Sequence, residues 1–260
     1  MAGLTNKKDM KRNTGFSVCN FALIGLIFFL AGSCVKTDKL PDGSVIGSVK
    51  DIDGNVYHTI EIGTQTWMTE NLKTTKYSDG SIIPVVTDNE IWNSLLTGAS
   101  CDYDNIKDNN KKYGRLYNWF AVNDPRKIAP VGWHVPTDSD WAVLENFLIA
   151  KQINVDSTSF ENRYAKALAS ATGWERSIYP GAVGHEMNKN NLTQFSALPA
   201  GNRYYGGTFD FVGILGIWWS STERETGSAW YRSLHYNDGE LKRSYTYVLQ
   251  EGASVRCIKD

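Results

Sequence analysis

Four histidines, four cysteines, four methionines and seven prolines are all that the 260 residues hold of these types. The histidines, His58, His134, His185 and His235, are scattered, and His185-Glu186 lacks a second histidine at position 189, which is Lys189, so no zinc-protease helix is present. No Gly-x-Ser-x-Gly elbow and no phosphate-cradling glycine loop occurs. Neither charge sign dominates: 27 basic against 28 acidic side chains leave −1, so no basic surface points to nucleic acid. The 23 glycines follow no short period, which excludes a collagen-like chain. No enzymatic activity and no nucleic-acid partner is expected.

Aromatic residues, at 12% of the chain, argue instead for a packed core with rings left over for the surface. The first thirty residues have a different character. Lys7, Lys8, Lys11 and Arg12 precede an apolar run from Phe16 to Leu30, and fifteen residues fall short of the roughly 20 that cross a bilayer as a helix. The length suits the apolar part of a secretory signal. The run leaves through Leu30-Ala31-Gly32-Ser33-Cys34, small residues directly before a cysteine, which resembles the bacterial lipobox. That resemblance implies cleavage of residues 1–33 and diacylation of Cys34. Acyl chains contribute about 0.8 kcal/mol per buried methylene, and two or three together hold a protein on a membrane. The expected partner is therefore a membrane, through the lipid anchor, and the expected location is the outer membrane or cell surface, with a periplasmic face as the other orientation. Loss of residues 1–33 removes four basic and one acidic residue and takes the net charge to −4. Residues 34–45 read as the lipidated cysteine and a polar linker containing Pro41.

Cys101 and Cys257 remain in the exported chain, where a disulfide is permitted; two buried thiols packing as small hydrophobes is the other reading. Downstream, Val56, His58, Ile60 and Ile62 alternate with Tyr57, Thr59 and Glu61, a strand period, and Gly63-Thr64 turns into a second strand, Gln65 to Met68. Thr137 three residues before Asp140 predicts a helix start, with Trp141, Leu144 and Leu148 on one face. A second helix is predicted from Tyr164 to Ala171. Strands are predicted over 217–222, 229–235, 244–249 and 254–258, with Asp238-Gly239 in a hairpin turn. Trp67, Trp119, Trp133, Trp141, Trp218 and Trp219 are assigned to the core, and Glu223 with Arg256 to a structural ion pair. The fold expected from these elements is one α+β domain with two helices, a small twisted antiparallel sheet and long loops.

Seven motifs follow one another along the chain: 51–57 (DIDGNVY), 62–72 (IGTQTWMTENL), 113–119 (YGRLYNW), 132–136 (GWHVP) with Trp141, 195–201 (FSALPAG), 218–223 (WWSSTE) and 254–260 (SVRCIKD). Together they resemble the Fibrobacter succinogenes major paralogous domain, a family of exported bacterial proteins, over residues 46–260. The resemblance implies a single C-type-lectin-like domain and a membrane-anchored lipoprotein displaying a binding module for a glycan or a protein. A structural or adhesive envelope component without a small ligand is the alternative, and an enzyme a distant third. Many relatives carry a cysteine where this chain has Ala129, before Pro130, which weakens any disulfide inferred from them.

The site expectations follow from residue type. Asn202, Arg203, Tyr204 and Tyr205, in a stretch that continues Gly206-Gly207-Thr208-Phe209, combine rings, amides and flexible glycine, a composition suited to adaptable binding; packing of Tyr204 and Phe209 beneath the loop is the plainer reading. No metal and no cofactor is expected. Calcium is the one ion the pattern leaves open, because Asp51, Asp53 and Asn55 are spaced like the opening of a calcium loop, and Asp102, Asp104 and Asp108 form a second acidic stretch. The later glutamate of such a loop is missing, and an ordinary turn and a solvated loop account for the two stretches equally well.

Overall fold

Alternating side chains on short strands dominate the architecture. The computed structural model describes residues 47–151, 153 and 164–260. In chain order these form β1 (Gly47–Lys50), β2 (Val56–Ile62), β3 (Gln65–Met68), α1 (Asn89–Asn93), β4 (Ser100–Cys101), α2 (Asn109–Tyr113), β5 (Leu116–Tyr117), α3 (Trp119–Val122) and β6 (Trp133–His134). They continue through α4 (Asp138–Ala150), α5 (Ala165–Leu168), β7 (Ala200–Arg203), β8 (Phe209–Val212), β9 (Leu215–Glu225), β10 (Ser228–His235), β11 (Lys242–Thr246) and β12 (Ile258–Lys259). One sheet runs β1-β2-β3-β12-β6 and a second β11-β10-β9; β4-β5 and β7-β8 are two-stranded.

This overturns the expected two-helix, C-type-lectin-like α+β fold. Of the described residues 18% are helical and 31% lie in strands, the sheets are antiparallel and one curls into a half-barrel. Only α4 is long. The helix predicted over 164–171 shrinks to Ala165–Leu168, because Ala169 leaves helical geometry and pairs with Ala197 in a bridge. An alanine run is helix-permissive, but four residues bury little, and the neighbouring extended segment captures the backbone.

The five-stranded sheet separates two apolar clusters, and strand alternation sorts residues between them. Trp67 and Met68 are consecutive in β3 yet face opposite clusters, as do Trp218 and Trp219 in β9. Trp67 packs against Trp141 of α4, ring centroids 4.8 Å apart, and against Phe195 at 5.6 Å. Each such buried indole removes roughly 200 Å² from water, on the order of 5 kcal/mol of apolar transfer. In β2 the alternation predicted from sequence holds in period but not in face throughout: Val56 and His58 are exposed, whereas Tyr57, Thr59, Ile60 and Ile62 are buried. Both sides of this strand are covered at different positions along it. Trp133, assigned to the core, is only half-buried on the edge strand β6.

Helix α4 starts as its sequence predicts. The Thr137 hydroxyl accepts from the Asp140 amide at 3.1 Å, and the Asp140 carboxylate accepts from the Thr137 amide at 2.8 Å, completing a capping box. Burial pushes the Asp140 carboxyl up, but the two Thr137 hydrogen bonds, aided by His134, outweigh it and hold it below its ordinary value. Arg232, fully buried beneath α4, pairs with Asp138 at 2.8 Å and with Glu145. The expected Glu223–Arg256 pair does not form. Arg256 is buried among Asn71 and the carbonyls of Phe195 and Ser196, and Glu223 accepts from the Gly227 amide at 3.0 Å.

Candidate functional site

The hairpin β7-β8 holds the expected binding residues, and the structure divides them. Gly201 begins the arrangement at φ +65°, where an added Cβ would lie 2.3 Å from the Asp210 carbonyl; only glycine fits. The Arg203 amide and carbonyl exchange hydrogen bonds with Gly252 at 2.9 and 2.7 Å, tying the hairpin to the C-terminal segment. Arg203 and Asn202, expected on the ligand-facing surface, are instead buried. The sequence cannot distinguish an arginine that greets a ligand from one that fastens a loop. The Arg203 side chain is 0% exposed, and its guanidinium donates to the carbonyls of Val86 (2.6 Å), Thr87 (3.0 Å) and Gly207 (3.0 Å) and to Asn89 Oδ1 (2.9 Å). It also lies over the ring of Trp92 at 4.3 Å. Asn202 donates to Glu251 at 2.6 Å, and burial holds the Glu251 carboxyl above its ordinary value despite that bond.

What this anchor presents is aromatic. A tight turn closes with Gly207 N donating to Tyr204 O at 2.9 Å, leaving Tyr205 at its tip 53% exposed. Tyr204 is half-buried and meets Phe211 edge-on at 6.2 Å, while Phe211 is 40% exposed. Phe211 sits at φ +66°, a left-handed conformation that costs a bulky side chain on the order of 1–3 kcal/mol. Phe209 packs inward against Tyr103 at 5.4 Å, as the plainer reading of this loop anticipates for that ring. Tyr204, Tyr205 and Phe211 thus form one partly exposed aromatic surface, and Phe211 is a member that sequence reasoning missed.

The remaining expected residues are committed elsewhere. Cys101 and Cys257 are free and buried in different clusters, so the structure shows no bridge between them. Burial pushes the Cys101 thiol up to about 12 and raises that of Cys257 as well, which disfavours the thiolate form in both. Asp51 accepts from the Asp53 and Asn55 amides, the Asn55 side chain and, at 2.6 Å, the Tyr57 hydroxyl: a turn anchor. Asp53 accepts from Thr74 and Thr75 and pairs with Lys76 at 3.1 Å. In the second acidic stretch Asp102 faces Arg115 at 3.5 Å, both buried, Asp108 pairs with Lys111, and Asp104 lies in a turn at φ +55°. Among the described residues no three His, Cys, Asp or Glu side chains stand together to hold a metal. His58 pairs with Glu70 on the surface, and His134 lies between Asp260 and Asp140.

A second aromatic surface went unread in the sequence. Trp230, Tyr245 and Tyr247 neighbour one another on β10, β11 and just beyond, with centroids 5.5 and 5.6 Å apart. The signal was there: Arg243, Tyr245 and Tyr247 alternate at the strand period. Arginines cover these rings, Arg243 over Trp230 at 3.5 Å and Arg224 over Tyr245 at 3.7 Å, and each is neutralised, by Asp138 and Glu225. Stacked and paired, this surface is largely occupied by its own side chains.

The expected signal segment 1–33, the expected lipidated Cys34 and the expected linker to residue 45 lie outside the described residues. Among those described, no helix is long and apolar enough to cross a membrane. A protein-family model, the Fibrobacter succinogenes major domain, matches residues 60–259. No curated protein and no solved structure matches the chain.

Proposed function

The chain belongs to the Fibrobacter succinogenes major domain family, and from that premise we propose that it is an exported, lipid-anchored binding module. The acyl anchor is at Cys34, the site lies at the outer membrane or cell surface, and the ligand is a glycan or a protein bound without chemical conversion. The observation that carries this reading is the hairpin. A fully buried arginine fastens it where β7 enters the turn, and the turn together with β8 presents Tyr204, Tyr205 and Phe211, the last with its backbone held in strain. Rings on a pre-fixed support bind with little ordering cost, and strain of this kind concentrates where structure serves recognition.

The test probes a broad array of bacterial and plant glycans, and an envelope-protein extract, with the full chain in detergent. Reproducible binding that falls at least about tenfold in Tyr205→Ala, a loss typical of an anchoring aromatic, with an unchanged melting temperature, is the expected result. Binding indifferent to Tyr205→Ala and Tyr204→Ala, or no binding at all, overturns the hairpin as the ligand surface. Cys34→Ser is expected to abolish palmitate incorporation. Continued labelling in that variant would remove Cys34 as the anchor.

A further inference from the structure

A cleft of about 320 Å³ lies beside the edge strand β6, apart from the residues of the hairpin. Its walls are apolar and aromatic, from Ile128, Val135 and the half-buried Trp133, and its polar lining includes Asn123, Lys127 and Ser221. The volume is at the small end of ligand-binding clefts, and the mix of apolar wall with a few polar groups is the usual make-up of such sites.

Which ligand fits is decided by the polar groups left uncommitted. The carboxylates near the cleft are engaged: Asp124, in its lining, takes Arg126 in a two-pronged pair at 2.8 and 2.7 Å, and Asp140, beside His134, takes both Thr137 groups. His134 is fixed at both ring nitrogens, to Asp260 at 2.7 Å and Asp140 at 3.2 Å. The Ser221 hydroxyl gives its proton to the Val135 carbonyl at 2.9 Å. The Lys127 ammonium and the Asn123 amide, both exposed to solvent, and the indole N–H of the half-buried Trp133 have no side-chain partner among the described residues. Two of these three groups are pure donors, and one, Lys127, is a cation that makes no ion pair among the described residues. Lys127 also sits at φ +59°, a left-handed conformation uncommon for a residue with a side chain.

Such a lining selects a ring with one planar anionic group. A phosphate or sulfate draws on several cations or a fork of arginine donors; a single lysine matches a single carboxylate charge. An apolar wall with an indole suits the face of a pyranose, and Asn123 with the Ser221 lone pairs suits hydroxyls. We propose that this cleft binds a uronic-acid unit of an acidic glycan, with its carboxylate on Lys127 and its ring face on Trp133. The site is separate from the hairpin and does not depend on it.

The test is calorimetric titration of the full chain with tri-galacturonate, its methyl ester and neutral tri-galactose. The free acid is expected to bind about fivefold more tightly than the ester, the worth of one partly screened ion pair. Lys127→Gln, at an exposed position, is expected to bring the acid to the ester's affinity with the melting temperature unchanged, and Trp133→Ala to weaken all three. Tyr205→Ala is expected to leave these titrations untouched; if it abolishes them, the hairpin is the uronate site and the cleft assignment falls. Equal affinity for acid and ester, an indifferent Lys127→Gln, or no binding of any of the three overturns the proposal.

Discussion

Replacing Arg203 by lysine keeps the charge and most of the length but loses the planar fork. In the native hairpin the Arg203 guanidinium reaches three carbonyls and the Asn89 side-chain oxygen within 3.0 Å, while the side chain is wholly shielded from water. A lysine ammonium has three donors directed tetrahedrally and cannot follow the fork in Nε, Nη1 and Nη2. At least two charge-assisted hydrogen bonds are lost, at about 1.5 kcal/mol each, giving a destabilisation of about 3 kcal/mol. Loss of the stacking over Trp92 at 4.3 Å adds to this in the same direction. For a folded unit of this size that corresponds to a fall in melting temperature of roughly 6–12 °C. Urea unfolding followed by tryptophan fluorescence measures the free energy directly, and an unchanged m-value keeps the comparison two-state. A lysine variant within about 1 kcal/mol of wild type would refute the reasoning, because it would mean that Arg203 does not fasten the hairpin.

Three further outcomes are expected. Gly201→Ala places a methyl group 2.3 Å from a backbone carbonyl at φ +65° and should destabilise by more than about 2 kcal/mol, read by the same unfolding assay. Glu251 has a carboxyl raised by burial, so its neutral form is the one the fold prefers; its contribution is complete below the unfolded value and is lost as pH rises through the folded one. Glu251→Gln should therefore be more stable than wild type near pH 7 and lose that advantage near pH 3.5, about a unit below the carboxyl's ordinary value; an advantage constant with pH counts against it. Alkylation mapped by mass spectrometry should label Cys101 and Cys257 only after unfolding without reductant, whereas protection in denaturant would reveal a bridge.

Legibility in the sequence followed the range of the interactions. The α4 start was readable because a capping box joins residues three apart, and Thr137 with Asp140 carries its own signal. The β2-β3 hairpin was readable for the same reason, since period and turn chemistry are local, whereas the β10-β11 connection is six residues long (236–241) with its turn at Tyr236-Asn237, just before the expected Asp238-Gly239. The second helix was not readable, because its fate rests on the bridge from Ala169 to Ala197, twenty-eight positions away. The lectin-like fold failed with it: resemblance in motifs carries the family, but strand pairing between distant segments decides the architecture.

The binding stretch shows the same division within four residues. Composition alone marked Asn202 to Tyr205 as a place where rings, amides and glycine concentrate, and Tyr204 and Tyr205 do reach the surface. Only the tertiary structure decided that Arg203 turns inward, because its partners at Val86, Thr87 and Asn89 come from more than a hundred residues earlier. The cleft at Trp133 likewise depends on Ser221 arriving from β9. What the sequence determined by itself was the family, the signal-like front of the chain, and the caps, turns and strand periods that neighbours impose on one another. Which polar side chains are spent inside and which remain free for a ligand was settled by contacts between distant segments, because burial belongs to the assembled fold and not to any stretch of chain.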